Sequence, residues 1–415
     1  MKFLLVARWS EVEPLGIMLL SSALKLAGHS CQIYLYKPSE FSCFEVPAKI
    51  REIQPDVVGF STYTGEHKQV YSFCESLKDS GIKTAIGGPH TLFFADECRK
   101  YSNYVFQGEA LTSLPLLDDK TLYPLVDVKD IPHPDRQGLY DVSEFHKNNR
   151  IKNIMCSFGC PYACSYCYNP LYKKHYQSGK VRVRPVDDVI SEANTIEDAL
   201  IFFQDDCFGF STPWLKEFAD KWDGRGYHCQ LRFEMATPGR LELLHKSGCT
   251  GVTCAIESAN RDTRFNLLNR KVEDEQILEG ARLIKMYGLQ LRTEQMIGLP
   301  ETTREDDLKL LKWNVDINPT IAWASIYQPY LGTPLGEYCV KQGYYSGDNS
   351  DIAGDFFNDT PLNFDITRKA KIKTLRDIFS VCAHIPDGDK LADKIMSGAS
   401  MQEAIKPHLY NILYG

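Results

Sequence analysis

The chain has 415 residues, 43% of them apolar and 24% charged, with a formal net charge of −7. That balance belongs to a folded globular protein of two to three domains, and the acidic excess argues against a chain whose main task is to hold nucleic acid. No run approaches the roughly 18 consecutive apolar residues of a membrane helix, and the opening MKFLLVARWS reads as a first β-strand, not a secretion signal.

From residue 1 to about 110, short β-like runs alternate with helical patterns. Strands are expected at FLLVA (3–7), CQIYLY (31–36), DVVGFST (56–62), KTAIGG (83–88) and NYVFQG (103–108). Pro14 opens a helix that Gly28 ends, and a second helix is expected from about Glu66 to Ser80. The alternation predicts an α/β domain over residues 1–120, a doubly wound (flavodoxin- or Rossmann-like) parallel sheet. Ligands of such sheets sit beyond the carboxyl ends of the strands. The domain has neither Gly-x-Gly-x-x-Gly nor a Walker-type loop, which argues against a nicotinamide or nucleotide-phosphate site.

Residues 121–150, with IPHPDRQGLYD, read as a linker. A second alternating series fills residues 151–335. Its expected strands are IKNIMCS (151–157), ALIFFQDD (199–206), CQLRFEM (229–235), GVTCAIES (251–258), LRTEQMIG (291–298) and WASIYQPY (323–330). Helices are expected between them, at Val186–Glu197 and Asp274–Tyr287 among others. Six βα units in succession predict a partial (β/α)6 barrel. Residues 336–415 form a small, mostly helical carboxyl-terminal region. Its Tyr344, Tyr345, Phe356 and Phe357 either line or cover a substrate site, or pack the open side of the barrel.

Fourteen cysteines are many for a chain of this length. Without a secretion signal most are expected to be reduced, buried thiols. One cluster is different: Cys160, Cys164 and Cys167 follow a C-x3-C-x2-C spacing just after the first strand of the second series. Three thiolates on one loop can hold three irons of a cubane and leave the fourth iron open. A structural zinc site would want a fourth ligand, for which Cys156 is the nearest thiol, although the expected strand contains it. Cys207 and Cys254 fall at strand ends, either as buried structural thiols or as groups that meet a substrate radical.

This cysteine loop resembles the cluster motif of radical S-adenosylmethionine (radical SAM) enzymes, and the six βα units resemble their partial barrel. The resemblance implies a 4Fe-4S cluster whose open iron chelates SAM, with electron transfer into the sulfonium yielding a 5′-deoxyadenosyl radical. It implies that Tyr166 packs on adenine, although core filling is its alternative role. It places Gln204, Asp205 and Asp206 as acceptors for the SAM ammonium, and Glu257 and Ser258 at the ribose or methionine end. Met-Ile-Gly-Leu-Pro matches the segment that passes close to adenine, with Gly298 permitting the approach. Arg270 and Arg292 are the implied partners of the SAM carboxylate.

The first domain resembles the cobalamin (B12)-binding domain of one radical SAM branch, that of the anaerobic cyclases and of the phosphinate and carbon methylases. The resemblance runs through QGEA (107–110) and IPHPDRQGLYD (131–141) into the barrel. It implies cobalamin contacts from Ser61, Tyr63, Thr64, Gly87, Gly88 and His90. The chain departs from histidine-ligating cobalamin domains, which carry Asp-x-His-x-x-Gly after the first strand. Here that loop is Ala7-Arg8-Trp9-Ser10-Glu11-Val12. A domain that binds the corrin without a lower protein ligand and a vestigial domain are both consistent with it.

The resemblance implies methylation of an unactivated carbon or phosphorus centre of a small molecule; cyclisation, rearrangement or a non-methyl group transfer is the alternative. It also implies an external reductant such as flavodoxin or ferredoxin and a reducing, cytoplasmic setting; the acidic charge and the lack of a long apolar run point to neither nucleic acid nor membrane as a partner.

Overall fold

The computed structural model of the chain describes residues 1–119 and 125–408. The domain boundary expected at residue 120, the first residues of the expected linker and the end of the carboxyl-terminal region lie outside the described residues. By contact the chain divides into two compact units, Met1–Ile154 with Leu171–Ile201, and Met155–Pro170 with Phe202–Gly415. Among the described residues no helix is long and apolar enough to cross a membrane.

The first unit opens with β1 (Lys2–Arg8), α1 (Leu15–Leu26), β2 (Ser30–Tyr36), α2 (Ser42–Ile53) and β3 (Val57–Ser61). It continues with α3 (His67–Leu77), β4 (Lys83–Gly87), α4 (Pro89–Cys98) and the short β5 (Tyr104–Val105). The strands pair in the order β2-β1-β3-β4-β5, parallel throughout. Near-continuous apolar runs such as FLLVA suit a sheet covered on both faces. Leu4, Val6, Val58, Phe60 and Ile86 pack under α2 and α3. This is the flavodoxin-like order, whose switch point lies between β1 and β3. The crevice there is bounded by the residues that follow Arg8 and Ser61.

Two five-residue helices, α5 (Arg136–Tyr140) and α6 (Glu144–Asn148), lead into β6 (Ile151–Ile154). The expected strand over 151–157 stops at Ile154. It breaks at Met155–Cys156, and the short β7 (Ser157–Phe158) that follows belongs to a different sheet, so Cys156 is not a strand residue. The physical reason is a side chain: Asp205 takes the Cys156 N–H that a ladder would have used. After α7 (Asn169–Tyr176), β8 (Arg182–Val183) and α8 (Val186–Ala193) the series runs β9 (Leu200–Phe203), α9 (Thr212–Lys221), β10 (Tyr227–Leu231) and α10 (Pro238–Lys246). It goes on through β11 (Cys249–Glu257), α11 (Asp274–Met286), β12 (Gln290–Ile297), α12 (Arg304–Ile317) and β13 (Ile321–Ile326). The sheet order is β13-β12-β11-β10-β9-β6, and β10 through β13 pair in parallel, the expected partial barrel. The strand expected over 229–235 ends at Leu231, because Phe233–Met235 turns as a 3-10 helix.

The carboxyl-terminal region is helical, with α13 (Pro334–Lys341), α14 (Ile366–Cys382), α15 (Gly388–Met396) and α16 (Met401–Ile405). Tyr345 is buried in a core cluster with Leu268, Leu299, Tyr327 and Leu335, and Tyr344 packs against that cluster. Phe356 is exposed, and Phe357 meets Trp323 edge-on with ring centroids 6.0 Å apart. The tail therefore packs against the barrel wall at these positions.

Within the first unit, four charged side chains form a buried chain. Arg184 pairs with Glu192 at 2.6 Å, Glu192 with Arg136 at 2.8 Å, and Arg136 with Glu13 at 2.8 Å. Glu13 also accepts the N–H of Asn153, and Arg136 donates to the Asn153 carbonyl. Replacing Arg136 with Ala takes the guanidinium from buried Glu13 and one of two from buried Glu192, which costs about 3–5 kcal/mol. The loss is expected as a lowered urea midpoint in anaerobic unfolding followed by circular dichroism.

Candidate functional site

The cysteine loop occupies residues 159–168, between β7 and α7, and neighbours on two sides fix its backbone. Ser165 N–H donates to the Leu268 carbonyl at 3.0 Å, Asn269 Nδ2 donates to the Ala163 carbonyl at 2.8 Å, and Leu335 N–H donates to the Ser165 carbonyl at 2.9 Å. None of the fourteen cysteines is in a disulfide. Cys164 is buried, and Cys160 and Cys167 are half-buried. The sulfurs of two of them face N–H donors. Asn169 approaches Cys167 Sγ with its backbone N–H at 3.5 Å and its Nδ2 at 3.4 Å, and Arg232 Nη1 approaches Cys164 Sγ at 3.6 Å. Donors aimed at sulfur suit thiolates bound to iron. Among the described residues no three Cys, His or carboxylate side chains converge on one point, as a single-ion site requires. Three thiolates that each serve a separate iron have no such need. The donor set fits a 4Fe-4S cluster.

The three residues expected to accept the SAM ammonium diverge. Asp205 is fully buried, and its two oxygens take the Cys156 N–H at 3.0 Å and the Ser157 hydroxyl. Burial raises its carboxyl to about 6. Asp205 thus fixes the entry to the cysteine loop. Asp206 is exposed and accepts from Asn169 Nδ2 at 3.3 Å, and Gln204 is half-buried beside them in sequence. Asn169 Oδ1 is buried without a partner, an open acceptor next to Cys167. Cys207 is buried with its thiol 3.1 Å from Met235 Sδ, and burial pushes it up to about 12. Cys254 is fully buried, which also raises its thiol.

At the end of β11 the backbone is strained. Glu257 has φ +65°, and the pairing of β11 with β12 slips between Ala255 and Glu257. A non-glycine residue held in this region marks a site whose surroundings enforce it. Tyr166 Oη donates to Glu257 Oε1 at 2.7 Å. Burial raises the Glu257 carboxyl, against the opposing pull of Arg270. Arg270 is itself buried and donates to the Ala255 carbonyl at 2.7 Å. Tyr166, Glu257 and Arg270 therefore form one group around the end of β11. Ser258 is buried beyond it, its Oγ accepting from Asn260 N–H at 3.2 Å.

Gly298 follows β12 with φ +68°, and its N–H donates to the buried Asp307 at 3.2 Å. The backbone angle selects glycine; a Cβ there would lie 2.8 Å from Ile372 Cδ1, the movable end of a side chain. Arg292 is not brought to this end. It stands near the start of β12, paired with Glu294 at 3.0 Å, six residues and roughly 20 Å of strand before Gly298.

In the first unit the expected cobalamin residues gather after β3 and β4. Gly88 has φ +94°, and a Cβ there would lie 2.7 Å from the Thr62 nitrogen. Thr62 is fully buried, its N–H on the Gly87 carbonyl at 2.9 Å and its hydroxyl without a partner. Tyr63 beside it is 54% exposed, a large aromatic ring left open at the crevice. An open ring, an orphaned hydroxyl and a glycine ridge fit a flat, amide-bearing ligand. His90 is buried and already bonded at both ring nitrogens, Nδ1 to Thr64 at 2.8 Å and Nε2 to Tyr71 at 3.0 Å. Its ring stacks on His67 at 4.5 Å, and burial lowers it to about 3, so it is neutral. Its role visible here is to fix Thr64. The loop after β1 is packed by Trp9 against Phe145 at 5.3 Å, and the Ser10 carbonyl bonds to His146 Nε2 at 2.9 Å.

Sequence reading missed Arg232 and Asn169. Asn169 stands two residues after Cys167, where a residue opening a helix could have been read as a donor toward the sulfur. Arg232 was hidden because RFEM looked like strand interior.

Residues 1–117 match the family described as the B12 binding domain, and residues 154–313 match the radical SAM superfamily. The chain is 24% identical to an uncharacterized methyltransferase of Pyrococcus horikoshii, over 79% of this chain and 78% of that protein. It is 23% identical to the hopanoid C-2 methylase of Rhodopseudomonas palustris, over 78% of this chain and 66% of that protein. Its fold resembles the structure of the radical S-adenosylmethionine methyltransferase TsrM from Kitasatospora setae, solved with cobalamin and a [4Fe-4S] cluster bound. The TM-score is 0.65 at 14% identity, covering 82% of this chain and 75% of that one.

Replacing Asp205 with Ala leaves the Cys156 N–H and the Ser157 hydroxyl buried without an acceptor, at about 1–3 kcal/mol each. The expected result is less iron per chain after anaerobic reconstitution, while Asp205→Asn, which keeps one carbonyl acceptor, retains it. Full iron in the alanine variant would contradict this role.

Proposed function

We propose that this chain, a radical SAM protein with a B12 binding domain in front, methylates an unactivated carbon or phosphorus centre of a small molecule. The observation that carries the reading is a pinned loop of three cysteines outside any disulfide, two of them with N–H donors on their sulfurs, in a chain whose first domain has an open cobalamin-type crevice. When bound, the cluster and SAM supply reductive sulfonium cleavage and the corrin supplies a methyl carrier.

The chain's own residues supply binding and order. Cys160, Cys164 and Cys167 hold the cluster. Asn169 Oδ1 and the exposed Asp206 carboxylate are acceptors available to the SAM ammonium. Glu257, oriented by Tyr166, offers two acceptor oxygens of the kind a ribose diol needs. Arg270, rather than Arg292, stands at the end of the strand where a SAM carboxylate needs a guanidinium. The backbone at Gly298, its N–H held by Asp307, is the stretch that passes adenine. On the first domain, Tyr63, Thr62 and the Gly87-Gly88 ridge are the corrin contacts, and Ser61 and Thr64 flank them. The pinned loops hold reactants in fixed order, and that order is the protein's contribution to rate. The electron comes from an external low-potential donor protein of the flavodoxin or ferredoxin kind, in a reducing compartment.

Methyl transfer by this route predicts both S-adenosylhomocysteine and 5′-deoxyadenosine among the products of the reduced, cobalamin-loaded enzyme with its substrate. Chromatography with mass detection reads both. Deoxyadenosine without the homocysteine would overturn methylation in favour of cyclisation, rearrangement or another transfer. Replacing any of the three loop cysteines with Ala is expected to abolish the deoxyadenosine.

A further inference from the structure

The cysteine loop is touched by a cation that holds no reactant in the scheme above. Arg232 is the first residue beyond β10 and is 7% exposed. Its guanidinium carbon lies 3.7 Å from the centroid of the Tyr162 ring, and its Nη1 lies 3.6 Å from Cys164 Sγ. Its Nε is tied to Glu234 Oε1 in an ion pair. The other oxygen of Glu234 is buried and has no partner. One guanidinium thus grips two residues of the loop, stacked on one and donating to the sulfur of the other, and a neighbouring carboxylate holds it there.

We infer that Arg232 is a positioning residue that sets the reduction potential of the iron–sulfur cluster through the sulfur of Cys164. The inference rests on the cluster assignment above. A charged N–H donor draws electron density from a ligating sulfur, and a buried cation favours the form of the cluster that carries one more electron. Burial matters to the size of the effect, because little water screens the charge. Glu234 opposes it from the far side of the guanidinium. The planar fork is essential, because only arginine can stack on Tyr162 and donate to Cys164 at once, whereas lysine brings a point charge. The pair Arg232–Glu234 thus acts as a bias on electron uptake from the external donor.

The test uses the full chain, reconstituted without oxygen and titrated in the absence of SAM, with the reduced cluster read by electron paramagnetic resonance. Iron and sulfide at about four each per wild-type chain test the cluster itself; the shift between variants tests Arg232. Arg232→Gln with its iron retained is expected to show an about tenfold lower ratio of reduced to oxidised cluster at a fixed potential, which is ~59 mV for one electron. Arg232→Lys is expected to show a smaller shift in the same direction. Glu234→Gln leaves the stack and the cysteines in place and is expected to shift the ratio the opposite way. An unchanged ratio in an iron-replete Arg232→Gln overturns the inference. Should that variant lose iron, Glu234→Gln decides, and an unchanged ratio there overturns it equally.

Discussion

The buried chain of ion pairs Arg184–Glu192–Arg136–Glu13 is the constraint on which the rest of the first unit depends. β6 is the edge strand of its sheet, so one side of its backbone would otherwise present open donors and acceptors. Glu13 and Arg136 take both peptide groups of Asn153 there. Each carboxylate in the chain lies between guanidinium groups or backbone donors, and such pairing is the condition on which charges are kept out of water. The same Glu13 closes the loop after β1, where histidine-ligating cobalamin domains place their ligand. In this chain that loop serves the fold, through Trp9, Ser10 and Glu13.

A similar economy governs the barrel's carboxyl end. Asp205 gives both oxygens to the chain that enters the cysteine loop, residues 267–269 and 335 hold the loop's back, and Arg232 and Asn169 meet its sulfurs. Two backbone positions are held in the left-handed region beside it, Glu257 and Gly298. Glu257 is kept there by the register slip of β11 and by the hydrogen bond from Tyr166. Gly298 is kept there by Asp307 and by the packing of Ile372. These are restraints that prepare a surface before any cofactor arrives, and preparation of that kind lowers the cost of ordering reactants.

The architecture was legible in the chain because its signals are local. Buried parallel strands read as Val-, Ile- and Phe-rich runs, Pro14 and Gly28 bracket α1, and C-x3-C-x2-C is a spacing with few other uses. What stayed hidden depends on partners distant in sequence. Asp205 looks like an acceptor for a ligand until Cys156, 49 residues earlier, is seen to occupy it. Arg292 and Arg270 are alike as letters, and only their places in the fold separate them, Arg292 near the start of β12 and Arg270 in the loop between β11 and α11. His90 reads as a candidate ligand until Thr64 and Tyr71 are found on its two nitrogens. Arg232 gave no signal at all, because its target sulfur is 68 residues away.

Whether the first domain holds a corrin for use by the radical SAM barrel is decided by cobalamin stoichiometry. Protein purified without oxygen from cobalamin-fed cells would be measured by absorbance and mass spectrometry. About one corrin per chain is expected, lost when Gly88, whose added Cβ would strike Thr62, is replaced by Val. An intact cluster with no corrin would contradict it, and the methyltransferase reading would fall with it.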